Sequence, residues 1–363
     1  MITTTLFPGR YVQGADALER LGDELARLGD RHLLVASPSP LERLVPGLLP
    51  GLARAGAVRA ERFGGECTDA EIDRLAALAR DFGAQSVCAL GGGKTLDAAK
   101  AAAARLGLRA AAVPTIASTD APCSSVCVVY SEAGEFRRAD VLPRNPDLVL
   151  VDTAVIARAP ARFLASGMGD ALATWFEADS CRAGRGRNIP GGTGSMTAHA
   201  LSRLCYETVR DWGPQALTAC EAGVVTPALE RVVEANTLLS GLGFESGGLG
   251  AAHSIHNGLT ALPAARARHH GEKVAFGVLA SLFLTDKPAA LMEEVYALCA
   301  ALGLPTTFEA LGLPGVTREE LERVARKACE PGESIHNEPV EISPGAVLNA
   351  LLAADALGRA RKA

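Results

Sequence analysis

The sequence lacks what a nucleic acid, a membrane or an oxidising compartment would require. Acidic side chains outnumber basic ones, 41 to 36, for a net charge of −5, so there is no basic surplus to build a face for nucleic acid or anionic lipid. No run reaches the roughly 18 apolar residues of a membrane helix. The opening MITTTLFPGR has no apolar h-region, and the nine cysteines are scattered singly without a CxxC pair, so reduced thiols and a cytoplasmic setting are expected. Internal repeats and low-complexity tails are missing too. What remains is an ordinary globular composition, 48% hydrophobic and 21% charged, in a chain whose 363 residues are too many for one small core.

Two domains are therefore expected, and the periodicity divides them near residue 160. Residues 1–9 read as an extended lead-in. Apolar runs of strand length follow at 32–37, 58–63, 86–90, 110–114 and 148–152, separated by helical stretches at 15–28, at 41–55 where Pro46 and Pro50 intervene, at 69–82, and after GGGKT. Thr68 or Asp69 is the expected cap of the third. Strands alternating with helices imply a parallel sheet covered on both faces, with ligands at the carboxyl ends of its strands. SSVCVVYSEAGEFRRADV reads as a hairpin turning at 132–134. From about Ala161 the period is helical, with helices at 163–181, 195–212, 226–239 and 287–302 and a loop over 184–194. The expected architecture is an α/β domain over 1–160 and an all-α domain over 161–363.

Four of the seven histidines, His253, His256, His269 and His270, crowd into residues 250–277. Imidazole is a common transition-metal ligand and titrates near neutral pH, so the cluster suggests a metal centre or a proton-transfer site; surface histidines with one helix cap are the alternative. His253 and His256 are spaced for one helical face. A helix, a turn and a second helix start would bring His270 to the same point. Asp170, in GMGDALATWFEA, reads alone as the N-cap of a helix. Beside two imidazoles it becomes a third ligand, and such a set leaves coordination positions open, as catalytic metals need.

GGGKT, Gly91–Thr95, lies between a strand and a helix. It fails the Walker A pattern, because Cys88 stands where the first glycine belongs, and the G-x-G-x-x-G pattern, because Leu96 takes the third glycine position. Three small residues before a helix start still suit a phosphate; a tight turn without a ligand is the alternative. PTIASTDAPCSS, 114–125, is rich in hydroxyls around one acid, Asp120, and fits either a polar connection or a loop that sets Asp120 against a polar substrate.

Taken together, GGGKTLDAAK (91–100), STDAPCS (118–124), RNPDLVLVDT (144–153), MGDALATWFEA (168–178), VTPALERVVEANTLLSGLGFESGG (225–248), HSIHNGLT (253–260), HGEKVAFG (270–277) and ESIHNEP (333–339) resemble the glycerol dehydrogenase family of the iron/zinc-dependent alcohol dehydrogenase superfamily, over nearly the whole chain and in the same order. The resemblance implies a dehydroquinate synthase-like fold, with an NAD-binding first domain and a metal- and substrate-binding second one. It implies a divalent metal, zinc or iron, held by Asp170, His253 and His270. It implies NAD against Gly91, Gly92, Gly93, Lys94, Thr95, Asp97, Thr115, Ser118, Ser124, Val126 and Tyr130. Asp120 matches the substrate aspartate, and His256 lies beside the metal as a candidate for proton exit. Glycerol or another vicinal diol is the implied substrate and a homo-oligomer, an octamer, the implied assembly. One position departs: the family's first strand ends I-A-D, whereas here Val35 and Ala36 lead to Ser37, leaving the adenosine ribose without its acid.

Three rivals stand beside this reading. A glycerol-1-phosphate dehydrogenase or dehydroquinate synthase would need extra cations, for which Arg266, Arg268 and Lys273 are available. A metal hydrolase would leave GGGKT unexplained. A nucleotide-binding sensor would have no use for Asp170, His253 and His270.

Overall fold

The computed structural model describes residues 2–361; Met1, the first residue of the expected lead-in, lies outside them. Six strands, β1 (Tyr11–Gly14), β2 (Arg31–Ala36), β3 (Ala57–Arg62), β4 (Ser86–Gly91), β5 (Arg109–Pro114) and β8 (Leu148–Asp152), form one parallel sheet in the order β1–β8–β5–β4–β2–β3. The other two, β6 (Val126–Tyr130) and β7 (Phe136–Val141), pair as the expected antiparallel hairpin. Side chains alternate across the sheet. Leu33, Val35, Val87 and Ala89 face one core, and Leu34, Ala36, Cys88 and Leu90 face another on the opposite side. Both faces are buried, which is why these strands read as continuous apolar runs rather than alternating ones. β1 was not expected; YVQG is half-buried at the sheet edge and too short for a period to show.

The helices of this half vary in regularity. The 15–28 stretch breaks into a 3-10 turn at Ala17–Arg20, α1 (Leu21–Leu25) and a second 3-10 turn at Ala26–Leu28. The proline-rich 41–55 stretch divides into α2 (Pro38–Arg43), α3 (Val45–Leu52) and a 3-10 turn. α4 (Asp69–Phe82) matches its expected bounds: Thr68 Oγ1 accepts from Glu71 N at 3.2 Å, and Gly83 stops it at φ 67°. α5 (Gly93–Arg105) springs from the glycine turn.

After α6 (Thr153–Ala157) the described chain forms α7 (Ala161–Ala183), α8 (Met196–Glu221), α9 (Pro227–Glu234), α10 (Ser240–Gly247), α11 (Ala251–Leu259), α12 (His270–Leu284), α13 (Ala289–Ala301), α14 (Arg318–Ala328) and α15 (Pro344–Ala360). α8 runs on to Glu221 through Pro214, beyond the stop expected at 212, and the expected 226–239 helix ends in a π-helical turn at Ala235–Leu239. The first residues cross to this half: Leu6 N donates to Ser246 Oγ at 3.0 Å and Thr5 Oγ1 to Ser195 Oγ at 2.7 Å. Among the described residues no helix is long and apolar enough to cross a membrane.

Candidate active site

The strand order reverses between β2 and β4, and at such a switch point the loops at the carboxyl ends of the strands diverge to leave a crevice. Ser37 follows β2. Its N–H donates to Leu90 O at 3.0 Å, and its Oγ lies 2.7 Å from Thr95 Oγ1. Gly91 closes β4, and a Cβ there would come within 2.1 Å of Ser37 Oγ, so this close approach of two loops requires glycine. Gly92 caps α5 without a side chain and Gly93 begins it, leaving the first amides of the helix open to an anion. Lys94 pairs with Glu66 at 2.6 Å and sits over the Tyr130 ring, 4.9 Å from its centroid.

A cleft of about 520 Å³ runs from Ser37 past Gly92, Gly93, Lys94 and Thr95 to Ser118, Asp120 and His270. A second cavity, of about 360 Å³, shares Asp97, Asp120, Tyr130 and His270 with it and continues past Ser124 and Val126 to His253, His256, Asn257 and Glu333. At their junction three elements converge. α7 supplies Asp170 from its middle, not from its N-cap as the sequence suggested, because the helix already starts at Ala161. α11 supplies His253, and α12 opens with His270 after a 3-10 turn at Pro263–Ala267. Glycines allow this convergence: a Cβ at Gly271 would lie 1.8 Å from Ser166 O, and one at Gly167 would lie 2.0 Å from Ala117 O.

Asp170 Oδ1 is 3.4 Å from His253 Nε2 and 3.2 Å from His270 Nε2, and one ligand atom from each residue falls within 4.8 Å of the others. Asp170 is fully buried, and this oxygen accepts no hydrogen bond. A buried, unpartnered carboxylate oxygen is costly, and two converging imidazole nitrogens beside it make a donor set for a divalent cation. Burial opposes ionisation of Asp170, but His270 and His253 outweigh it and hold the carboxyl well below its usual range. For His253, burial works against the imidazolium, yet Glu177 and Asp170 raise its pKa well above the ordinary value. Burial lowers His256 strongly, helped by the charges of His270 and Lys273. Burial raises Asp120, helped by the adjacent Asp170.

Residues 8–153 match the family model described as iron-containing alcohol dehydrogenase. Over 362 residues the chain is 56% identical to a glycerol dehydrogenase of Thermotoga maritima, spanning 100% of this chain and 99% of the relative. It is 51% identical to a glycerol dehydrogenase of Pseudomonas putida, spanning 97% of each. The solved glycerol dehydrogenase of Schizosaccharomyces pombe superposes with a TM-score of 0.95 at 38% identity, over 99% of this chain and 92% of that one. The chain belongs to the iron-containing alcohol dehydrogenase family.

In this family member most of the expected site residues meet along the two cavities. Thr115 does not line either; its N–H donates to Gly91 O at 3.0 Å and ties β5 to the glycine turn. Asp97 lines both, but its Oδ2 accepts from Val128 N at 3.0 Å and its Oδ1 pairs with the buried Lys100 at 3.0 Å. Lys100 in turn donates to Ala121 O, Ser124 O and Val126 O, so this pair braces the loop that follows Asp120. Asp120 Oδ2 accepts from Ser240 Oγ at 3.2 Å. Both ring nitrogens of His256 are engaged, Nδ1 with Asn257 and Nε2 with His270. His269, which had no expected role, caps α12, its N–H bound to Glu272.

Two site residues escaped the sequence reading. Glu177 lies two turns beyond Asp170 on α7; its Oε2 is 2.6 Å from His253 Nδ1. The i,i+7 spacing from Asp170 and its place in the MGDALATWFEA stretch were its signals. Glu333 approaches Asn257 from a distant segment, and only its motif marked it.

Proposed function

We propose that this chain catalyses the metal-dependent oxidation of glycerol and related vicinal diols, giving dihydroxyacetone from glycerol with hydride passing to NAD. The observation that carries this reading is Asp170 Oδ1, buried, unpartnered and faced by two imidazole nitrogens where the glycine-turn cleft meets the second cavity. When bound, a divalent cation, zinc by this reading with iron as the alternative, supplies Lewis acidity toward a substrate hydroxyl, and NAD accepts the hydride.

The chain's own residues position the reactants. Gly91, Gly92 and Gly93 keep the start of α5 open for the cofactor's diphosphate, with Lys94 and Thr95 alongside and Ser37 at the ribose end. Ser118, Ser124, Val126 and Tyr130 form the walls toward the nicotinamide, and Thr115 and Asp97 support them from behind. Asp120 accepts a hydrogen bond from a substrate hydroxyl and so orients the carbon that loses hydride. The hydroxyl proton passes to water in the cleft. Full-length relatives named for glycerol favour this substrate over the phosphorylated or carboxylated ones of the wider superfamily. Nine unpaired thiols support a reducing, cytoplasmic setting, and the exposed Met196 and Ile2 support a homo-oligomer, an octamer by this reading.

Metal analysis combined with a nicotinamide absorbance assay on glycerol, 1,2-propanediol and dihydroxyacetone tests the proposal. Asp170→Asn and His253→Ala should lose the metal and at least roughly a hundredfold in turnover while keeping the wild-type circular dichroism. Full activity from either variant when metal-free would refute it.

A further inference from the structure

The two histidines that face Asp170 are anchored differently. His253 is held directly: Glu177 Oε2 lies 2.6 Å from its Nδ1, which fixes a proton there and makes Nε2, on the Asp170 side, the nitrogen that would be bare to bind a cation. His270 has no carboxylate of its own. Its Nδ1 lies 3.1 Å from His256 Nε2, His256 Nδ1 lies 3.2 Å from Asn257 Oδ1, and Asn257 Nδ2 lies 3.0 and 3.3 Å from the two oxygens of Glu333.

We propose that Glu333 is a positioning residue for His270, fixing through Asn257 and His256 which imidazole nitrogen of His270 faces the metal site. The inference rests on the metal-binding reading above. The direction of the chain follows from what each group can do. A carboxylate accepts only, so Asn257 must turn its NH2 to Glu333 and its carbonyl oxygen to His256. That oxygen accepts from His256 Nδ1–H. A neutral imidazole protonated at Nδ1 has its lone pair on Nε2, which accepts from His270 Nδ1–H. His270 is left with a bare Nε2, 3.2 Å from Asp170 Oδ1 and ready to bind a cation. The opposite amide orientation would set an oxygen against the Glu333 carboxylate and an NH2 against His256 Nδ1. His256 would then offer Nε2–H to His270 Nδ1, the His270 proton would move to Nε2, and the metal position would be blocked. One carboxylate at the cavity wall thus sets two tautomers and one amide rotamer.

The test measures zinc affinity by chelator competition, together with the visible spectrum of the cobalt-loaded protein, for wild type, Glu333→Leu, Glu333→Gln and Asn257→Leu. Glu333→Leu and Asn257→Leu should bind zinc about tenfold or more weakly and shift the cobalt spectrum. Glu333→Gln, whose amide oxygen can still accept from Asn257, should fall between them and wild type. The melting temperature of the metal-free proteins separates this role from a structural one, which would lower it without moving the zinc affinity. If Glu333→Leu fails to fold, Asn257→Leu carries the same prediction. Zinc affinity within twofold of wild type and an unchanged cobalt spectrum in either leucine variant would overturn the inference alone. A wild-type protein that takes up no zinc or cobalt would overturn the metal reading itself, and this inference with it.

Discussion

At Asp120 one carboxyl group must read a hydroxyl while standing beside another carboxyl. Its backbone N–H already reaches Asp170 Oδ2 at 3.3 Å, and Ser240 steadies its side chain. Asp120→Ala removes a hydrogen bond to substrate worth about 1.5–3 kcal/mol, so KM for glycerol should rise about tenfold or more while KM for NAD moves little. Steady-state kinetics varying each substrate in turn decides it; an unchanged glycerol KM would rule out direct contact. Ser37 gives a second test. The β2 end of the cleft is lined by Ser37, Pro38, Phe63 and Gly65, with no carboxylate among them to repel a 2′-phosphate. Ser37→Asp should lower kcat/KM for NADP relative to NAD by roughly tenfold, since like charges across a short gap repel. A ratio that does not move places Ser37 away from the ribose. Such residues were legible because their chemistry shows in type and spacing: four clustered histidines, an isolated acid among hydroxyls, three glycines before a helix. Glu177 and Glu333 were not, because a carboxylate held by a distant partner reads in sequence like any surface one until that partner is known.

The start of α11 illustrates what the element scale adds. Gly250 precedes the helix and offers no side-chain cap, so its first amides take carboxylates from elsewhere. Glu177 Oε1 accepts from Gly250 N at 3.0 Å and His253 N at 2.9 Å, and Glu338 Oε1 accepts from Ala251 N at 2.7 Å. Burial, with the nearby Glu177 adding to it, pushes Glu338 up to about 7 from an ordinary 4.5. A carboxyl raised on folding holds its proton more tightly when folded. Its contribution is therefore full below about pH 4.5 and is lost as pH climbs through 7, a difference of about 3 kcal/mol. Glu338→Gln keeps the acceptor for Ala251 and cannot ionise. It should flatten the fall in melting temperature between pH 5 and 8 and stabilise the protein at pH 8 by about 4 °C at fixed metal. Parallel pH profiles for the two proteins would refute this. Elements with local signals, such as α4 with its Thr68 cap and Gly83 stop, were legible to the residue. Those decided by distant contacts were not: β1 gains its identity from pairing with β8, and α11 depends on glutamates far away in sequence.

Across the whole molecule, the sheet-bearing half and the helical half meet along a polar seam. Asn236 Nδ2 donates to Ala117 O, Ser166 Oγ donates to Ser118 O, and Tyr11 OH lies 2.7 Å from Thr237 Oγ1. The helical half thereby grips the 117–125 loop on which Asp120 is carried. Composition and period describe each half separately and are silent about such a seam, since its bonds join residues 48 to 226 positions apart. A carboxylate of this seam is Glu245 on α10, fully buried, which accepts from Ser125 N at 2.7 Å, from Ser125 Oγ, and from Asn145 Nδ2. Removing it strands several donors where water does not reach, each at about 1–3 kcal/mol. Asn145 retains Cys123 O at 2.9 Å, so the full sum does not apply, and about 3 kcal/mol is the expected loss for Glu245→Ala. Spread over a chain of this size, that lowers the melting temperature by about 4 °C. The loosened loop should also raise KM for glycerol, because Asp120 loses its fixed setting, whereas the Ser37 side of the cleft lies away from the seam and KM for NAD should change less. Calorimetry with two-substrate kinetics checks both parts. A lower melting temperature with both KM values unchanged would mean that the seam holds the halves together without steadying the substrate loop.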